Sequence, residues 1–128
     1  MFTNPAINIY THDLRILVAF YEGLGFKEAF RFPSEGDPIH VELRLDHFTI
    51  GVASVDSAIA HHGLKPKLDG RPIEIVLWTD DTDGDFARLT VEGAPGLSQP
   101  HDWLDGKLRI AWIADPDGNP IQLVQKPQ

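Results

Sequence analysis

The chain predicts an α+β fold built from two βαβββ modules. A strand, a helix and three further strands can be read in the first half, and the same order returns in the second. Superposing Asp13 on Asp81, 68 residues further on, brings Ile7 onto Ile75, Ile9 onto Leu77, Tyr10 onto Trp78 and Thr11 onto Thr79. A chain of 128 residues suits one domain of two small modules better than two separate domains.

The segment Ile7-Asn8-Ile9-Tyr10 alternates with the period of two expected of a half-buried strand, and Thr11-His12-Asp13 offers capping side chains. Leu14, Leu17, Val18, Tyr21 and Leu24 then recur at three- and four-residue spacings, so they share one helix face, which Gly23 and Gly25 terminate. Strands are predicted over 27–32, 39–45 and 48–53. The Pro33-to-Pro38 stretch turns between the first two, and Asp46-His47 forms a hairpin between the others.

Residues 56–72 read as a connection punctuated by Gly63, Pro66, Gly70 and Pro72, with a short helix near Ala58. This divides the domain, 1–128, into module one over about 1–55 and module two over about 73–128. In module two a strand over 73–78 leads to caps at Thr79-Asp80-Asp81 and a short helix ending at Gly93. Strands over 96–103, 108–114 and 121–125 complete it, with Asp115-Pro116-Asp117-Gly118-Asn119-Pro120 turning between the last two.

Composition narrows the function. With 42% hydrophobic and 23% charged residues the chain has the balance of an ordinary globule. Nineteen Asp and Glu against eleven Lys and Arg give a net charge of −8, which repels nucleic acid and favours cationic small molecules. The absence of cysteine removes disulfides, thiolate ligands and cysteine nucleophiles. The first residues lack the pattern of a signal peptide and no long apolar run is present, so a cytoplasmic protein without membrane contact is expected. No Gly-rich phosphate loop follows a strand, and no nucleophile elbow is visible.

The residues Asp13-Leu14, Phe20-Tyr21-Glu22-Gly23-Leu24-Gly25-Phe26 and Asp115-Pro116-Asp117-Gly118-Asn119-Pro120-Ile121-Gln122-Leu123 resemble the vicinal oxygen chelate superfamily. That superfamily includes glyoxalase I, the fosfomycin and bleomycin resistance proteins and ring-cleaving dioxygenases. The resemblance implies that each sheet folds into a half-open cup, that the modules enclose a cavity, and that the protein pairs as a homodimer. In metal-dependent members, His, Glu or Gln ligands come from the first and last strands of each module. The matching positions here are Ala6, Gly51, Glu74 and Gln122, and the first two carry no donor atom. Two oxygen donors are too few for a catalytic divalent ion, so no metal and no other cofactor is expected.

Strand parity places Asn8 and Tyr10 on the side of Ala6, and Trp78 on the side of Glu74. Asn8, Tyr10, Glu74, Trp78 and Gln122 are therefore the expected ligand contacts, with Glu74 also the candidate general base. His40, Glu42 and Arg44 share one strand face, and parity leaves open whether it is the cup interior or the solvent side. Exposure accounts for His47, His61 and His62, while His12 borders the first helix and His101 lies near a loop. Trp112 alternates with Ile110 as core residues do, and Trp103 is unassigned.

The function expected is a metal-independent binding protein similar to the bleomycin-resistance type. It would hold a small organic ligand in the inter-module cavity, with Glu74 and the negative surface favouring a cation. The alternative is a lyase, isomerase or dioxygenase using Glu74 as base, or a metal held atypically by His40, Glu42, Glu74 and Gln122.

Overall fold

The computed structural model describes residues 1–127 and contains eleven elements in the predicted order. They fall into two compact units, Met1–Asp69 and Gly70–Gln128.

The first unit contains β1 (Ile7–Thr11), α1 (Leu14–Gly23), β2 (Lys27–Phe32), β3 (His40–Leu45), β4 (Phe48–Ser54) and α2 (Val55–His62). Its sheet runs β1-β4-β3-β2, with β1 parallel to β4 and the remaining pairs antiparallel. The parallel pairing follows from the helix that carries the chain across the sheet before it returns.

One face of this sheet is the core. Val41, Leu43, Ile50 and Val52 are fully buried together with Leu17 and Tyr21 of α1. Tyr21 packs edge-on against Phe26, ring centres 5.6 Å apart, where the chain leaves the helix. Gly25 makes that exit with φ of 110°, a conformation that favours glycine.

The second unit contains β5 (Ile75–Trp78), α3 (Thr82–Val91), β6 (Gly96–Trp103), β7 (Leu108–Ala114) and β8 (Pro120–Gln125), and its sheet order, β5-β8-β7-β6, repeats the first. The local capping chemistry repeats as well. Asp13 accepts from the Ile16 N–H at 3.4 Å and Asp81 from the Gly84 N–H at 2.9 Å. In each unit the threonine two residues earlier accepts from the capping residue's own N–H: Thr11 at 3.0 Å and Thr79 at 3.1 Å. These paired turns stop each first strand and start each helix.

Two details differ from the sequence reading. β5 begins at Ile75, not Ile73, because Ile73 and Glu74 lie outside the ladder with β8. The connection is also more ordered than its punctuation suggests. α2 is capped by Ser54, which accepts from the Ser57 N–H at 3.2 Å, and ends at Gly63 in the left-handed conformation. Among the described residues, no helix is long and apolar enough to cross a membrane.

The motif at 115–120 has a clear physical basis. Asp115, 1% exposed, accepts from the N–H groups of Asp117 and Asn119, each at 2.9 Å, and from the Asn119 side-chain amide at 2.7 Å. The buried carboxylate thus folds the turn around itself, and Gly118 supplies the positive φ of 91° that the reversal needs.

Candidate functional site

The sheet face opposite α1 settles the parity left open by the sequence. Asn8 pairs with Gly51 and Tyr10 with Ala53 across β1 and β4, and β3 sets His40 opposite Ala53 and Glu42 opposite Gly51. Directly paired residues point the same way, so Asn8, Tyr10, His40 and Glu42 share the face turned away from the core. Phe30 and Phe32 join them from β2, opposite Glu42 and His40.

Of these, Asn8, Tyr10, Phe30, Phe32 and His40 bound a pocket of about 660 Å³. Its aromatic wall is Tyr10, Phe30 and Phe32, and Asn8 and His40 contribute polar groups beside it. α2 forms a further side through Ser57, Ala58, His61 and His62. His61 and His62 are exposed, as expected, but they also line this pocket, a role the sequence reading did not give them. The missed signal was the Ser54 cap followed by an uninterrupted run to Gly63, which marks a helix placed directly after the last strand of the sheet.

On this sheet face, His40 Nε2 lies 3.4 Å from Glu42 Oε2, and the His40 ring centre lies 6.3 Å from that of Phe30. Gly51 lies beneath. A Cβ built there would stand 2.0 Å from Asn8 Oδ1 and 3.1 Å from His40 Cε1, so the missing side chain lets the Asn8 amide and the imidazole lean over the sheet.

In the second unit, Arg109 and Gln125 reach toward α3. Arg109 bonds Asp83 at 2.9 Å, and Gln125 Oε1 accepts from the Thr82 N–H at 2.8 Å. Parity and the register, with Gln122 opposite both Val76 and Trp112, therefore turn Glu74, Val76, Trp78, Trp112 and Gln122 to the other face. Trp112 is half-buried there, not core, and its Nε1–H donates to Glu74 Oε1 at 3.3 Å. His101 stacks on the same indole with ring centres 6.3 Å apart.

Trp78 is 61% exposed, and Lys126 Nζ sits 5.5 Å from its ring centre. One indole face is thus already engaged by a cation of the protein itself. The five expected contacts fall into two groups. Asn8 and Tyr10 meet in the pocket of the first unit, and Glu74, Trp78 and Gln122 share the sheet face of the second that is turned away from α3.

Charge pairing is strongest away from these surfaces. The Arg109 guanidinium, hydrogen-bonded to Asp83 and Asp102, holds the Asp83 carboxyl below the usual carboxylate range and is itself raised by them. The Arg31 guanidinium does the same to Glu28.

Two copies of one βαβββ unit, each with a helix-covered and an open sheet face, define a duplicated fold whose first copy bounds a ligand-sized pocket. The model of the glyoxalase/bleomycin resistance protein/dioxygenase superfamily matches residues 5–123, and the chain belongs to that superfamily. Several solved structures share its fold. A hypothetical protein from S. aureus superposes with a TM-score of 0.79 at 20% identity, over 98% of this chain and 95% of that one. A superfamily member from Sphaerobacter thermophilus gives 0.73 at 25% identity, over 98% of each chain. TioX from a Micromonospora species gives 0.72 at 19%, over 98% of this chain and all of the other. No curated protein matches the chain.

The metal arrangement implied by the resemblance does not fit the residues present. Ala6 has no donor atom, and the space a ligand side chain at position 51 would enter is filled by Asn8 and His40. Glu74 Oε1 is engaged by the Trp112 indole. Among the described residues, no group of three or more His, Cys, Asp or Glu side chains is placed to hold a metal ion.

Proposed function

We propose that the protein binds a small organic molecule without a metal, in the manner of bleomycin-resistance proteins, and sequesters it rather than transforming it. The pocket of the first unit carries this reading. About 660 Å³ is the volume of a drug-sized site, and walls of Tyr10, Phe30 and Phe32 beside a few polar groups suit a planar ligand. Asn8, whose amide both donates and accepts, would orient it. Glu74, Trp78 and Gln122 on the open face of the second unit are the other proposed contacts, with the Trp112 indole fixing the Glu74 carboxylate. The net charge of −8 favours a cationic ligand.

The test is calorimetric titration of chelator-treated protein with a panel of planar aromatic compounds. Binding should survive the chelator and weaken in Tyr10→Ala, Trp78→Ala and Glu74→Gln. A requirement for added divalent metal would refute the proposal.

One observation favours a second reading, an enzyme that moves a proton. The carboxylate of Glu42 beside His40 Nε2 is suited to steady an imidazole acting as a base in the pocket. Turnover abolished by His40→Gln, with ligand affinity retained, would select it.

A further inference from the structure

The charged groups around the first unit's pocket are distributed unusually for an acidic protein. Among the described residues, no Lys, Arg, Asp or Glu lines it, and the ionisable lining groups are the Tyr10 phenol and the imidazoles of His40, His61 and His62. Such a wall offers a cation three aromatic side chains, whose rings attract positive charge at their faces, and no competing ammonium or guanidinium.

Imidazole is the side chain that changes charge between pH 5 and 8. We infer that the pocket takes an organic cation and releases it on acidification, with His40, His61 and His62 as the sensing groups. The inference rests on the reading of this pocket as a ligand site.

The groups facing the three imidazoles come from each surrounding element. β1 presents Tyr10 and Asn8. β2 presents Phe30 and Phe32, and β4 presents Ala53 and Ser54, none of them ionisable. β3 presents His40 with Glu42 at 3.4 Å, among the described residues the one carboxylate paired with any of the three. α2 presents His61 and His62, ring centres 6.2 Å apart, while its Asp56 is exposed and does not line the pocket.

Protonation of all three imidazoles therefore adds three positive charges to the wall, of which Glu42 opposes one. The other two, on neighbouring residues of one helix turn, repel a bound cation and each other. A neutral molecule of the same shape experiences no such repulsion.

The experiment compares benzyltrimethylammonium, whose charge does not titrate, with neopentylbenzene, its neutral isostere, by calorimetry or ligand-observed NMR. Measurements are made at about pH 8 and about pH 5.5, on either side of the imidazole range. The cation should bind the intact protein about tenfold more weakly at the lower pH, the isostere equally at both, and the variant carrying His40→Gln, His61→Gln and His62→Gln should lose most of the dependence. Equal weakening of the neutral probe would mean that the pocket itself is lost, and would overturn the inference. So would a dependence that persists in the triple variant, or a cation that binds no better than its isostere at about pH 8. If neither probe binds at either pH, the ligand-site reading beneath it fails first.

Discussion

The amide oxygen of Asn8 occupies the space that a side chain at Gly51 would need, 2.0 Å from where its Cβ would stand. The glycine is therefore part of the pocket's construction. It leaves the sheet bare where the Asn8 amide and the His40 ring converge.

Gly51→Ala should accordingly disturb binding more than folding. The clashing atoms are the ends of two side chains that can rotate away, so the loss of stability should stay within about 1–2 kcal/mol, whereas affinity for an aromatic ligand should fall about tenfold. Chemical denaturation and calorimetry on the same variant separate the two effects. Equal affinity would remove Asn8 from the ligand's contacts.

Asp115→Ala should be among the most costly single substitutions. It leaves two backbone N–H groups and one amide in a nearly closed turn without their carboxylate, a loss of about 2–4 kcal/mol, visible as a lower denaturation midpoint. Asp115→Asn, which keeps the shape and part of the bonding, should recover a portion of it.

The two helix caps should differ. Removal of an N-cap carboxylate costs about 1 kcal/mol. Asp81→Ala should cost more than Asp13→Ala, because Asp81 holds its N–H at 2.9 Å and Asp13 at 3.4 Å. Thermal melts of the two variants give the ranking directly.

Acid sensitivity should trace in part to Arg109. Its guanidinium depresses the folded-state pKa of Asp83, so the stabilisation from that pair is present above the ordinary carboxylate pKa and disappears as pH falls through the depressed value. Asp83→Asn should therefore be less stable than the parent at neutral pH and converge with it in strong acid. Because both groups are solvent-exposed, the gap should be small and should shrink further in salt. A gap that widens on acidification would contradict the assignment.

Much of the fold was legible because its signals are local. The Thr-x-Asp turn before each helix, the apolar stripe from Leu14 to Tyr21 and the Asp115 turn are all settled by residues within a few positions of one another, and the first of them recurs 68 residues on. The orientation of His40 and Glu42 was not, because a strand's parity says which residues share a side and not which side faces the helix. That choice is made when the β3–β4 hairpin docks on β1, far back in the chain, which aligns His40 and Glu42 with Tyr10 and Asn8 and turns Val41 and Leu43 toward α1. Trp112 was misread for a related reason. Ile110, on the same sheet face, is buried, but the register sets the polar Gln122 beside Trp112 and leaves the indole half-buried. The expected contacts Asn8 and Tyr10 could be placed because β1 lies next to a cap that fixes their phase.

The segment that joins the two repeats supplies a wall of the pocket through Ser57, Ala58, His61 and His62. Substitutions in this short segment would reshape the pocket wall while leaving both sheets untouched. Such a chain could acquire a new guest without renegotiating its own architecture.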